Sequence, residues 1–272
     1  MAFIDLTKAF DLVHRQALWL VLAKFGCPEK YIRVLRLLHD NMSAMVLSDS
    51  GDESETFRVD KGVKQGCVIA PTLFSIFVAA ILYLISENLP QGVKIVYRTE
   101  GQLFNINRFR AKGRTSTVSI MELQYADDNA LVALSEENLQ GTLSVFAKAY
   151  KQLGLAINIR KTQILYQPSP KSSWPVLPPN IAINNTRLEN VDQFQYLGSF
   201  LSSKADIDDE IDFRLSCASR AFSRLRKRVF ENRDLQSKTK ILVYKAVVLP
   251  TLLYASEAWT TYKHFKIMEK NN

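Results

Sequence analysis

The sequence predicts an α+β protein, an antiparallel sheet backed by helices. Three observations carry that expectation. Two short apolar runs, Met121 to Gln124 and Ala130 to Leu134, flank Tyr125-Ala126-Asp127-Asp128, and Asp-Asp-Asn is turn chemistry, so the stretch reads as a β-hairpin. Between Glu136 and Leu153, the residues Leu139, Leu143, Phe146 and Tyr150 fall on one face of a helix. The segment from Cys67 to Ile85 is apolar almost throughout but carries Pro71, Thr72 and Ser75, which fits a buried core helix better than a membrane span.

The 272 residues suffice for one large domain or two small ones, and apolar and aromatic shares of 47% and 10% exclude a disordered chain. A net charge of +8 and a pI of about 9.3 suit a polyanionic partner. Cys27, Cys67 and Cys217 are odd in number and far apart, so no disulfide framework is expected and a reducing, intracellular compartment is. His14, His39 and His264 pair with no cysteine at zinc-finger spacing. No signal peptide opens the chain. Met1-Ala2-Phe3-Ile4 runs directly into an apolar segment, and from this a domain that starts upstream, with this chain as a fragment, is expected.

Taken in order, Phe3-Ile4-Asp5-Leu6 reads as a short buried strand holding a carboxylate, which is costly unless the charge is paired or bound to a metal. Asp11 is placed to cap a helix with Leu18, Val21, Leu22 and Phe25 on one face, which Gly26 ends. Pro28 opens another, with Tyr31, Leu35 and Leu38 aligned. Met45-Val46-Leu47 and Thr56 to Val59 flank a polar stretch with Gly51 and read as a hairpin. In Lys61-Gly62-Val63-Lys64-Gln65-Gly66-Cys67 the glycines allow close backbone approach to a ligand and the lysines suit phosphate, although such loops are commonly only loops. A helix from about Pro71 to Ser86 follows. Tyr97 to Thr117 reads as an exposed basic insertion.

Beyond the central hairpin and its helix, Gly154 is a stop, Leu155 to Asn158 is strand-like, and Pro168 to Pro179 is a Pro/Ser-rich loop. Phe194 to Gly198 reads as a strand and turn. From Asp206, the residues Ile211, Leu215, Ala218, Phe222, Leu225 and Val229 form one helix face, with Arg220, Arg224, Lys227 and Arg228 opposite. That basic face is either solvated or follows a phosphate backbone. A last apolar helix from Ile241 to Leu253 is broken at Pro250.

The chemistry concentrates at Asp127 and Asp128. A free aspartate has a pKa of roughly 3.9, so both carry charge at neutral pH. Adjacent like charges repel unless a cation neutralises them, and oxygen-only ligands suit a hard divalent ion, Mg²⁺ or Mn²⁺. A plain solvated turn is the alternative.

Read together, the stretches resemble the reverse transcriptases, most closely those of non-LTR, LINE-type retrotransposons. Phe3 to Asp11 is similar to motif A, Gly62-Val63-Lys64-Gln65-Gly66 with Ala70-Pro71 to motif B, and Tyr125-Ala126-Asp127-Asp128 to motif C. Leu153-Gly154-Leu155 with Asn158 and Lys161-Thr162 resembles motif D, and Tyr196-Leu197-Gly198 motif E. Each piece alone is weak to moderate evidence; five in the right order are strong.

The resemblance implies a right-hand polymerase palm with partial fingers over residues 1–203 and a helical, thumb-like region over 204–272 that is cut short. It implies RNA-directed DNA synthesis, in which Asp5, Asp127 and Asp128 hold two Mg²⁺ ions, or Mn²⁺, for nucleotidyl transfer to a primer 3′-hydroxyl. Leu6 would add a carbonyl. Phe10 would lie under the incoming sugar and exclude a 2′-hydroxyl, with plain core as its other reading. Gln65, Gly66 and Tyr125 would line the nucleotide pocket. Lys161 would steady or protonate the leaving pyrophosphate, or else is simply solvated. Tyr196, Leu197 and Gly198 would grip the primer, and Arg220, Arg224, Lys227 and Arg228 would track the duplex. The implied partners are an RNA template, a DNA primer and deoxynucleoside triphosphates, with no membrane; nuclear action is implied by the family alone.

In two respects the chain departs from the family pattern. The fingers region that precedes motif A and the endonuclease domain of LINE-type elements are both missing from the sequence. The alternatives are therefore an inactive retroelement relic that only binds nucleic acid and, less well supported, a group II intron-type maturase.

Overall fold

The computed structural model describes residues 1–90, 92–98, 115–169 and 177–259. Contacts divide the chain into two compact units, Met1–Ile164 with Pro178–Asn190, and Leu165–Leu177 with Val191–Asn272.

The first unit is built on a short strand, Ala2–Ile4, whose three residues are all buried. It pairs antiparallel with Asp128–Leu131 on one side, in the register Ala2↔Leu131 and Ile4↔Asn129, and with Gln163–Leu165 on the other, with Ala2 opposite Ile164. The hairpin strand Glu122–Tyr125 lies outside Asp128–Leu131, and Glu189–Val191 outside Gln163–Leu165, completing an antiparallel sheet of five strands among the described residues. A central strand covered on both faces has no polar side, so Ala-Phe-Ile runs unbroken instead of alternating.

Two helices fill the core beside this sheet. Ala70–Ile85 starts with Pro71 in its first turn, where the missing N–H costs nothing, and buries Leu73, Phe74, Phe77, Val78, Ile81 and Ile85. Among the described residues no helix is long and apolar enough to cross a membrane. Glu136–Gln152 is capped by Ser135, whose hydroxyl accepts the Asn138 N–H at 3.2 Å, and buries all four expected residues, Leu139, Leu143, Phe146 and Tyr150. Gly154, at φ +82°, lets the chain turn away from the helix end.

Several expected details are corrected. The helix Arg15–Lys24 is capped by the His14 ring, which accepts the Ala17 N–H, because Asp11 is already inside a one-turn helix, Ala9–Leu12. The helix Glu29–His39 buries Ile32, Leu35 and His39, and Tyr31 and Leu38 point outward. Leu155 to Asn158 forms no strand; only a single bridge joins Ile157 to Leu6, and the strand comes later, at Gln163–Leu165. The ends of the expected basic insertion are strand: Val93–Arg98 pairs with Thr115–Ile120, and residues 99–114 lie outside the described ones.

In the second unit, Gln193–Tyr196 and Ser199–Ser202 form a hairpin, as expected for the strand and turn at Phe194 to Gly198. The helix Asp208–Leu225 continues through a wide turn, Arg226–Phe230. Its buried stripe matches the expected apolar one only in part, with Ile211, Leu225 and Val229 half-buried. Glu210, Arg214 and Ala218 are buried, while Leu215 and Phe222 are exposed, because a charged pair occupies the inner face. Ser237–Val243, Tyr244–Val248 and Leu249–Leu252 follow in succession, with Pro250 opening the last piece.

Candidate active site

Asp5 sits just past the end of the central strand, and the backbone around it is fixed by a distant segment. Its N–H donates to the hydroxyl of fully buried Thr162 at 3.3 Å, and its carbonyl accepts the Asn158 N–H at 2.8 Å. The Thr162 hydroxyl in turn donates to the Asn158 carbonyl at 2.9 Å, and the Thr7 N–H to Ala156 at 2.8 Å. Thr162 therefore links the turn at Asn158 to the backbone of Asp5.

The second pair of carboxylates stands on the hairpin. Tyr125 pairs with Asp128, which leaves Ala126-Asp127 as a two-residue turn. Ala126 has φ +52°, a left-handed conformation that an alanine adopts only when its surroundings impose it. The imposing contacts are visible. The Gln124 amide donates to the Ala126 carbonyl at 2.7 Å; the amide of buried Asn129 donates to Gln124 and, at 3.0 Å, to the Tyr150 hydroxyl. Continuing the Ile4↔Asn129 register by one residue sets Asp5 opposite Asp128, and residues directly opposite across two strands present their side chains to the same face.

The electrostatics agree with that placement. The Asp128 carboxyl is pushed above the ordinary aspartate range, first by burial and then by the charges of Asp127 and Asp5. Among the described residues, no three His, Cys, Asp or Glu side chains come together as a metal-holding group. Carboxylate oxygens suit a hard cation, and Asp128 feels the charges of both Asp127 and Asp5.

A cleft of about 320 Å³ opens beside these residues. Asp5, Leu6, Phe10, Gln65, Asp127, Asn158 and Lys161 line it, so four separated stretches of the chain converge there. Phe10 is half-buried and stacks on Phe74 from the core helix, ring centroids 4.4 Å apart. Gln65 is brought in by its loop, which docks on the helix after Asp5: the Gly62 N–H donates to Val13 and the Val63 N–H to Phe10, each at 2.8 Å. Gly62 is required there, since a Cβ would come within 2.5 Å of the Asp11 carbonyl oxygen and φ is +81°. Asp128, Gly66 and Tyr125 are not among the lining residues; Tyr125 and Gly66 are exposed.

The remaining expected residues belong to the second unit. Leu197 and Gly198, both at positive φ, form the tip of the hairpin that Tyr196 and Ser199 close. The Tyr254 hydroxyl donates to the Leu197 carbonyl at 2.9 Å, and the Arg214 guanidinium to that of Gly198. Arg214 is also paired with Glu210 at 2.7 Å and lies 4.5 Å above the Tyr254 ring. Arg220, Arg224, Lys227 and Arg228 are exposed. Sequence reasoning missed Thr162, Asn129, Tyr150, Arg214 and Tyr254 as positioning groups. Of these only Thr162 carried a signal, its place beside Lys161.

Comparison with known proteins gives the family of the chain. The family model for reverse transcriptase (RNA-dependent DNA polymerase) matches residues 1–201. A transposon-derived protein of Caenorhabditis elegans is 29% identical over 164 residues, which is 57% of this chain and 52% of that one. The RNA-directed DNA polymerase from mobile element jockey of Drosophila funebris is 24% identical over 271 residues, 94% of this chain. The chain spans about half the length of the first relative and 25% of the second. A solved telomerase from Candida tropicalis covers 74% of this chain and 33% of its own, with a TM-score of 0.44 and 12% identity. With the family model running through the strand before Asp5, the Gln65 loop, the Asp127-Asp128 hairpin and the Leu197-Gly198 turn, the chain belongs to the reverse transcriptase family.

Proposed function

We propose that this chain is the polymerase portion of a retrotransposon and that its cleft performs template-directed addition of deoxynucleotides to a primer 3′-hydroxyl on an RNA template. The observation that carries the reading is the convergence of Asp5, Phe10, Gln65, Asp127 and Lys161 on one cleft, with Asp128 feeling the charges of Asp5 and Asp127. In this reading residues 1–203 form the palm with partial fingers and 204–272 the thumb-like region.

Asp5, Asp127 and Asp128 would hold divalent magnesium or manganese, which when bound offsets phosphate charge and favours ionisation of the primer hydroxyl. The Phe10 ring, held from below by Phe74, seats the incoming sugar and leaves no room for a 2′-hydroxyl. Gln65, which lines the cleft, borders the nucleotide, and Gly66 and Tyr125 would act from outside the cleft lining. The Lys161 ammonium donates a proton to the departing pyrophosphate oxygen or holds its charge. In the second unit, the turn Tyr196-Leu197-Gly198 contacts the primer, and Arg220, Arg224, Lys227 and Arg228 neutralise backbone phosphates.

Primer extension on poly(rA)/oligo(dT) with Mg²⁺ tests the proposal, with Asp127→Asn alongside the wild type. Extension by the wild type that the substitution abolishes supports it. Synthesis that survives Asp127→Asn refutes the carboxylate assignment, and salt-sensitive duplex binding without synthesis means a protein that only binds nucleic acid.

A further inference from the structure

The helix that follows Phe10 contains a buried arginine, Arg15, with no role yet assigned. Its guanidinium makes no salt bridge among the described residues. It is surrounded instead by backbone carbonyls: Nε donates to Gly62 at 2.8 Å, Nη1 to His39 at 2.7 Å and to Val59 at 2.8 Å, and Nη2 to Lys61 at 3.1 Å. The charges of Asp40 and Asp60 favour the cation without pairing with it, neutral oxygens replace its water, and the planar fork donates to them only along fixed directions. The charge therefore dictates the backbone path of Val59 to Gly62. That path ends where Gly62 and Val63 donate to Val13 and Phe10, and Gln65 enters the cleft two residues beyond Val63.

We infer that Arg15 is a positioning residue that sets the gap between Phe10 and Gln65, and through it the affinity for the incoming nucleotide and the discrimination against ribose. This rests on the reading of the cleft as a nucleotide site. Phe10 is backed by Phe74 and Gln65 reaches the same cleft from its loop, which Arg15 holds together with the backbone bonds of Gly62 and Val63. Arg15 is not among the residues that line the cleft, and its hydrogen bonds go to Gly62, His39, Val59 and Lys61, so its loss is expected to act on binding geometry and leave the acid-base groups in place.

The test compares Arg15→Lys and Arg15→Gln with the wild-type chain in poly(rA)/oligo(dT) extension with dTTP or UTP. Lysine keeps the charge and three donors; glutamine keeps neither the charge nor the fork. Arg15→Gln is expected to raise KM for dTTP about tenfold, with kcat within about threefold, and to lower the preference for dTTP over UTP, since small misplacements at a site cost heavily. Arg15→Lys is expected to fall between. A fall in kcat with KM and sugar preference unchanged overturns the inference. Amide hydrogen exchange over residues 59–66 is read in parallel: faster exchange in the order wild type, Lys, Gln supports the clamp, and unchanged exchange in both variants overturns it. If Arg15→Gln does not fold, Arg15→Lys decides by the same readouts. If the wild type makes no product, the proposed polymerase reading fails, and the exchange measurement alone still decides whether Arg15 holds the loop.

Discussion

Phe10 lies almost parallel to Phe74, with ring centroids 4.4 Å apart and planes inclined by 21°. One ring belongs to the short helix after Asp5, the other to the most apolar helix of the chain. The same side chain thus meets the cleft with one face and the core with the other. Phe10→Ala is expected to lower stability by about 2 kcal/mol, less than for a fully buried ring because Phe10 is half-buried. Urea denaturation would show a lower midpoint with the slope unchanged. In extension assays the same variant is expected to accept UTP more readily, and a variant that loses stability without any change in sugar preference would reduce Phe10 to core.

The buried Asn129 amide is expected to matter more than a single side chain suggests. It holds both Gln124 and Tyr150, and through Gln124 the left-handed Ala126. Asn129→Leu is expected to cost about 2 kcal/mol by stranding Gln124 and the Tyr150 hydroxyl, and Tyr150→Phe about 1 kcal/mol. A double-mutant cycle between the two, read by chemical denaturation, should be less than additive.

Glu122 offers a pH test remote from the carboxylates of the cleft. Burial pushes its carboxyl above the ordinary glutamate range, and one of its oxygens is buried without a hydrogen-bond partner among the described residues. The folded chain therefore binds this proton more tightly than the unfolded chain. Its contribution to stability is fully present below the ordinary glutamate pKa and is lost as pH rises through the folded one. Glu122→Gln is expected to melt higher than the wild type at neutral pH, with the difference closing at about pH 4. Scanning calorimetry across that range would measure it.

In the second unit the Glu210–Arg214 pair is buried, and breaking it should be severe. Arg214→Met leaves the buried Glu210 charge without its counter-ion and is expected to cost about 3–5 kcal/mol. Tyr254→Phe removes only the bond to Leu197 and should cost about 1 kcal/mol. Thermal melts of the two variants should rank them in that order.

Much of the framework was legible because it rests on local periodicity. Leu139, Leu143, Phe146 and Tyr150 recur at helical spacing and are all buried. The apolar runs around Asp127-Asp128 form the expected hairpin because the turn residues between them fit its tip. Where periodicity misled, tertiary contacts had overridden it. Leu215 and Phe222 lie on the expected apolar stripe of their helix, yet Glu210 and Arg214 take the inside, each satisfied by partners in a hairpin that the helix sequence does not mention. His14 caps a helix in place of Asp11 because a one-turn helix intervenes, too short to have a period. Thr162, Asn129 and Arg15, which position the candidate site, each make at least one hydrogen bond to a residue 21 or more positions away, and such bonds have no signature in sequence spacing.

The strand Ala2–Ile4 takes its neighbours from residues 128–131 and 163–165, and Asp5 is tied to Thr162. During synthesis Ala2–Ile4 thus leaves the ribosome long before either of its neighbours exists. Until residue 131 has emerged it has no ladder on either edge, and until residue 165 none on the second, and closing such long loops is slow. Expression in a host with little chaperone capacity should accordingly send nascent chains into aggregates through this segment, and fusing a highly soluble domain ahead of Met1 should improve the yield of folded protein more than fusing it after Asn272.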